Sequence, residues 1–294
     1  GRLDADDALR ILGDAAAVEP DTLERAGVLL DRIFDALEPN DPWIRRLNAA
    51  FGDAVNAVQA TPDSAVRSAW DKALLNRELR VLRALEPDAI EAHRSAETLF
   101  GAVPGDAPRI RRVIRIDPAQ TRWHSTGLYA APGEVVRVTV PAEVTGAGFL
   151  LRFGGHTDNI ARRDQWLRPP QVHWSWPLDN QEVIGASPFG GALYIDVGTE
   201  NRALAPFEVV IEGAVEAPYF ILGETTDEAW VDGLRDAPAP YAEFVSENLS
   251  VSLPSHFIRR LDNPTQVMTL WNDVVRLQDE LGTHAERRYM AERI

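Results

Sequence analysis

Across GAVPGDAP, Gly101 to Pro108, the hydrophobic repeat of this chain changes from a helical period to a period of two, and nothing else in the sequence limits the fold as strongly. Upstream, Leu23, Ala26, Leu30, Ile33 and Leu37 make one stripe, and Leu47, Phe51, Val55 and Val58 make another. VEPDT, NDPWI, TPDSA and EPDAI recur through this part. Each places a proline where a first helical turn tolerates a missing N–H, and three follow it with an aspartate suited to the positive end of the helix dipole. Four helix starts are therefore expected, joined as an antiparallel helical array. Downstream, Val136, Val138 and Val140 alternate, as do Phe207, Val209 and Ile211, and Leu249, Val251 and Leu253, which predicts short strands of an antiparallel β-sandwich. After Asn263 and Pro264 the helical period returns, with Val267, Leu270, Trp271, Val274, Leu277 and Leu281 on one face before Gly282. The expectation is an α+β multidomain chain: a helical domain over 1–104, a β-sandwich over 105–255 and C-terminal helices over 256–294.

At 294 residues the chain is long enough for two cores. Its net charge of −15 argues against nucleic-acid binding, which needs a dense basic face, and disfavours an anionic membrane surface. With no cysteine there are no disulfides, thiolate metal sites or cysteine nucleophiles. No apolar run approaches the roughly 18 residues of a membrane span, and no signal segment opens the chain. Lys72 is the only lysine.

Chemistry-bearing residues concentrate in LLRFGGHTDNIARRDQWLRPPQVHWSW, Leu150 to Trp176. A metal site of His124, His156, Asp158 and His173 lacks the one-turn spacing that sets two imidazoles on one helical face. His156 and Asp158 read better as organisers of a loop, with Gly154 and Gly155 allowing a tight backbone path. Trp174 and Trp176 fall on one face of a strand and suit the core. Trp166 and Arg168 sit in a proline-bounded loop and are the exposed candidates for stacking on a sugar ring, against a structural role for both.

G-x-S-x-G, the Walker loop and G-x-G-x-x-G are all absent. SPFGG, with Pro188, Phe189, Gly190 and Gly191, leads into a strand and not a helix, so it reads as a turn and not a phosphate loop. Paired carboxylates carry little information in so acidic a chain. Asn248 opens an N-x-S acceptor pattern, a frequent chance match.

In order from Trp123 to Leu281, WHSTGLYAAPGEVVRVTVP, LRFGGHTDNI, WLRPPQV, SPFGGALYI, APYFILGETTDEAW, APYAEFVSENLSVSLPS and LWNDVVRLQDEL resemble the enhancin-like zinc metallopeptidases. The resemblance implies a β-sandwich ahead of a gluzincin-type catalytic domain, action on mucins and other O-glycosylated proteins, and a secreted or cell-surface location. It also makes Gly154, Gly155, His156, Asp158, Pro188, Phe189, Gly190 and Gly191 a structural motif. That family's catalysis needs H-E-x-x-H, where two histidines hold zinc and the glutamate activates water. These residues contain no such sequence, and HAERRYMAERI from His284 lacks the second histidine. The expectation is a non-catalytic front portion with no catalytic residue, metal ligand or cofactor of its own. Zinc is expected in a catalytic domain encoded beyond Ile294, and a glycoprotein or glycan is expected as substrate. A free-standing glycan-binding module and a structural interaction protein remain as alternatives.

Overall fold

The computed structural model describes residues 7, 10, 11, 13–36, 42, 58–199, 204–282 and 291–294. They divide into two compact units: Gly1–Glu86 with Asp158–Val172, and Pro87–Thr157 with His173–Ile294. The division falls at Glu86 and Pro87, not at 104 and 105, and the first unit takes in a segment from the middle of the chain.

In the first unit, VEPDT does open a helix, α1 (Pro20–Ala36), with Asp21 in its first turn. Ala26, Leu30 and Phe34 follow at steps of four and are buried. Another helix of this unit, α2 (Ala69–Arg83), starts after Ser68, whose Oγ accepts from the Asp71 amide at 3.0 Å. Its Trp70, Leu74 and Leu75 meet the α1 stripe in one core. Asn76 donates to Asp31 at 3.2 Å and Arg80 to the Phe34 carbonyl at 3.0 Å, fixing the pair.

Two of the four expected helix starts are corrected. TPDSA closes a tight turn in which Thr61 and Ser64 exchange backbone bonds at 3.1 Å, because the Thr61 side chain also captures the Ser64 amide. EPDAI makes only a 3₁₀ turn, Pro87–Ala89. NDPWI, Pro42 apart, lies outside the described residues, as do Leu37, Leu47, Phe51, Val55 and 283–290.

The second unit opens with a short helix, α3 (Ala96–Phe100). Eight strands follow: β1 (Ile110–Ile116), β2 (Trp123–Ala130), β3 (Val136–Thr139), β4 (Leu150–Phe153), β5 (Trp174–Pro177), β6 (Glu182–Gly185), β7 (Gly191–Asp196) and β8 (Phe207–Glu216). They hydrogen-bond as one antiparallel sheet, β5-β4-β7-β2-β8-β3-β6, with β1 also on β8. The antiparallel strands expected of the sandwich are thus hydrogen-bonded into one path, and β8 makes the link. Its residues 210–212 pair with both β1 and β3, while Val215 and Glu216 pair with β2. The chain passes from one set of partners to the other at Gly213, with φ at +92°, where a Cβ would lie 2.7 Å from the Val135 carbonyl oxygen. The end strands meet: Trp176 of β5 donates its Nε1–H to the Ala186 carbonyl just past β6, at 2.8 Å. Val136, Val138, Val209, Ile211 and Trp174 are buried, as their alternation predicts.

A second, mixed sheet follows in the order β12-β11-β10-β9, made of β9 (Tyr219–Ile221), β10 (Tyr241–Val245), β11 (Leu249–Pro254) and β12 (Glu292–Arg293). β9 and β10 are parallel because α4 (Asp227–Asp232), capped by Thr226, carries the chain back between them. Trp230, Phe220, Phe244, Ile258 and Met268 form its core, and the Trp230 Nε1–H is satisfied by the Leu261 carbonyl at 2.9 Å. After α5 (Ser255–Ile258), α6 (Pro264–Leu281) buries Pro264, Met268 and Val275. The stripe read from the sequence is the other face: Leu270 and Leu281 remain 63% and 85% exposed.

Candidate functional site

The structure brings two sequence motifs into one junction. At the end of β4, Gly154 donates its amide to the Ala192 carbonyl at 2.9 Å, which sets FGGH beside the SPFGG turn that starts β7. Only a residue without a side chain fits opposite: a Cβ on Gly191 would stand 2.7 Å from the Gly154 nitrogen. Beside it, Gly190 closes the turn on the Ser187 carbonyl at 3.1 Å, and Gly155 lies near the Tyr194 hydroxyl. Pro188 accepts from the His93 amide at 2.7 Å. Phe189 is buried against the rings of His93 at 4.8 Å and Trp174 at 6.2 Å. His156 is exposed, with Phe100 5.8 Å away, and its carbonyl accepts from Arg152.

Asp158 is not part of that junction. It belongs to the helical unit and pairs with Arg168 at 2.7 Å, while Arg168 also donates to the carbonyls of Pro169 and Pro170. Trp166 requires a correction: it is 1% exposed, so its ring offers no face to a sugar. The sequence cue failed because the surrounding polar and proline residues mark a surface loop, while a single large apolar ring in such a loop is an anchor into the nearest core.

A charged network in the second unit escaped the sequence reading. Arg152 lies in β4 between Leu151 and Phe153, and both faces of the strand are covered, so the guanidinium is buried. Burial pushes its pKa down to about 10, with the Asp196 carboxylate opposing. Its guanidinium carbon stands 3.8 Å from the centre of the Trp123 ring, and the Trp123 Nε1–H is held by Asp196 at 3.0 Å. From β12, Arg293 reaches the same ring at 5.5 Å. It donates to the Trp123 carbonyl at 2.6 Å, to Ser125 Oγ at 3.2 Å and to the buried Glu243 at 3.0 Å. Ser250 adds a second bond to the same Glu243 oxygen at 3.0 Å. Burial first, then the Glu243 charge, pushes Tyr194 and Tyr219 far above their ordinary value, so both serve as hydrogen-bond donors and not as bases. The arrangement fixes charge and ties the mixed sheet to β2; its members are spent on one another. An arginine in the apolar run LLRF was the available signal.

Among the described residues the histidines form no metal-holding cluster with one another or with carboxylates. His124 donates Nε2–H to the Gln120 carbonyl at 2.9 Å, which sets its tautomer. Among the described residues no group of three or more His, Cys, Asp or Glu is placed to hold a metal, so none is assigned to zinc. No described helix is long and apolar enough to cross a membrane.

Two contiguous family models match the chain: the N-terminal domain of M60-like peptidases over residues 105–212, and peptidase M60, enhancin and enhancin-like, over residues 213–294. Thus the mixed sheet and α6, expected to be accessory sandwich and connector, lie within the match to the peptidase model. The TRPM8 channel-associated factor homolog of Danio rerio is 38% identical over 171 residues, 58% of this chain and 19% of the relative. TRPM8 channel-associated factor 1 of Homo sapiens is 34% identical over 181 residues, 61% of this chain and 19% of the relative. The chain therefore spans about a fifth of these relatives' length. Among solved structures, the IMPa metallopeptidase from Pseudomonas aeruginosa matches with a TM-score of 0.55 at 18% identity, covering 87% of this chain and 31% of that chain. At that identity the likeness shows the fold alone.

Proposed function

Because the chain belongs to the M60-like, enhancin-like peptidase family over residues 105–294, we propose that it is the accessory portion of a zinc metallopeptidase acting on mucin-type O-glycosylated proteins. In this reading it holds or presents the glycoprotein, and the zinc chemistry belongs to other residues of the parent protein. The observation that carries the reading is the pair of family models running without a gap from 105 to 294. Two sequence and structural facts support it. The 294 residues contain no H-E-x-x-H, which the family's zinc mechanism requires. The fold is also shared with IMPa from Pseudomonas aeruginosa, which has been solved in complex with an O-glycopeptide and matches there with a TM-score of 0.51.

A second reading has its own support. The relatives at 34–38% identity are channel-associated factors, so the same fold would serve as an interaction module with no peptidase role. Titration calorimetry of the 294-residue chain with a mucin-type O-glycopeptide and its unglycosylated counterpart, followed by mass spectrometry of the peptides, separates the readings. The accessory role expects glycan-dependent binding and intact peptides. Chelator-sensitive cleavage would overturn the non-catalytic assignment. Equal indifference to both peptides would leave the interaction module.

A further inference from the structure

The helix α6 has two apolar faces, and its own unit covers one of them. Pro264, Met268 and Val275 are buried, with Met268 in the core of the mixed sheet. About a third of a turn round the axis, at 3.6 residues per turn, stand Val267, Leu270, Val274, Leu277 and Leu281, with Trp271 beside them. Leu270, Leu277 and Leu281 are 63%, 47% and 85% exposed, and Trp271 is 48% exposed. The helix is held in this orientation. The Thr265 amide donates to Asp227 at 2.9 Å, and Asn248 donates its backbone and side-chain N–H groups to Asn272 Oδ1 at 3.3 and 3.1 Å. The outer face is therefore preformed.

From Val267 to Leu281 the steps are three, four, three and four residues, the spacing of a and d positions, with Trp271 at e. A helix presents that stripe to a neighbouring helix packed along it, here over about 21 Å at 1.5 Å per residue. Asp273 and Glu280 occupy the g positions, and both pair with Arg276, at 3.5 and 2.6 Å. Exposed pairs of this kind contribute little, so the two carboxylates are available to a partner's cations.

We propose that this face docks a second amphipathic helix of the same parent protein, apolar at its own a and d positions and basic beside them. The match to the peptidase M60 model takes in α6, and in the curated relatives most of the chain lies outside the matched part. The source of the occupant rests on the reading above, that the remaining peptidase chemistry belongs to other residues of the parent. A second copy of this chain fits worse, since it brings the same acids and a net charge of −15 against its like. A lipid surface also fits worse: α6 carries one arginine and no lysine against Asp273, Asp279 and Glu280, the reverse of a membrane-surface helix.

The test compares the 294-residue chain, its double variant Leu270→Ser/Leu277→Ser and the full-length parent protein. The probe is a fluorescein-labelled three-heptad peptide with leucine at a and d and lysine at e and g, read by anisotropy. Saturable binding to the 294-residue chain is expected, at least about tenfold tighter than for a peptide of the same composition in scrambled order. The double variant keeps the charge of the chain and removes two leucines from the contact, so binding should fall on the order of a hundredfold. Its melting temperature should hardly move, because both side chains are exposed. In the parent the face is filled: the peptide should not bind, and hydroxyl radicals should oxidise Trp271 severalfold more slowly than in the 294-residue chain. Equal binding of ordered and scrambled peptides, or full binding to the double variant, overturns the docking face. Undiminished peptide binding and Trp271 oxidation in the parent overturn the assignment of the occupant, as does a dimer of the 294-residue chain that sedimentation shows to be lost in the double variant. Binding of the O-glycopeptide is measured separately and should not change in the double variant, so failure of one reading is distinguishable from failure of the other.

Discussion

Replacing Arg293 with methionine removes the cation facing Glu243 while keeping an unbranched side chain of similar reach. Glu243 is 4% exposed and the Arg293 side chain 27%. Breaking a buried ion pair from one side costs about 3–5 kcal/mol, because the remaining charge stays desolvated. The partial exposure of Arg293 weakens its side of the pair through solvent screening, which brings the expected loss to about 2–3 kcal/mol. Part of that loss comes from the bonds to Trp123 and Ser125, which no substitution at 243 touches. Glu243→Gln keeps an acceptor for Ser250 and removes the charge, for an expected loss of about 1–2 kcal/mol. The double variant should lose less than the sum of the singles by about 1–2 kcal/mol, since neither charge is then orphaned. Urea unfolding followed by tryptophan fluorescence measures all three. An Arg293→Met loss below about 1 kcal/mol, or strict additivity, would refute the pairing as the tie between the mixed sheet and β2.

Gly213→Ala should destabilise the second unit by about 2–3 kcal/mol, since φ of +92° is strained for any L side chain and the new methyl meets the Val135 oxygen; a thermal melt unchanged from the parent would show that β8 can cross without glycine. His124 should make the protein less stable on acidification. Burial, and after it the Arg293 cation, hold its pKa below the usual 6.5, against the Gln120 hydrogen bond and the charges of Asp117 and Asp196. The unfolded chain therefore takes up the proton first, and this contribution, complete above pH 6.5, shrinks as pH falls below it. His124→Gln should flatten that limb of the denaturation-midpoint profile, and an identical slope in the variant would remove His124 from the account.

Strands whose two faces differ were legible. Val136, Val138, Phe207, Val209 and Ile211 alternate because one face meets the core and the other meets water, and the structure buries that set. Gly191 and Gly154 were recognisable as motif members, but their shared junction was not, since close approach between strands is a property of register, which no local pattern encodes. The TPDSA turn and α2 show the limit of local punctuation. Proline followed by aspartate suits a helix start, yet Ser68 offers a better cap a few residues later, and the helix begins there. For α6 the periodicity was right and the buried face wrong, because amphipathic spacing locates an apolar stripe without saying what covers it. Trp166 was misread for a related reason: a composition that marks the surface describes the loop's other residues, and the anchor is the exception.

The passage of β8 at Gly213 bears on how such chains are inherited and cut. The two family models meet between residues 212 and 213, inside a strand whose first part pairs with β1 and β3 and whose last residues pair with β2. A recombination breakpoint at that seam would leave each fragment with an open sheet edge and unpaired backbone amides, the condition that drives strand-to-strand aggregation. The two matched segments therefore share one strand, and a joint placed outside β8 is expected to leave fewer unpaired amides than one placed at Gly213.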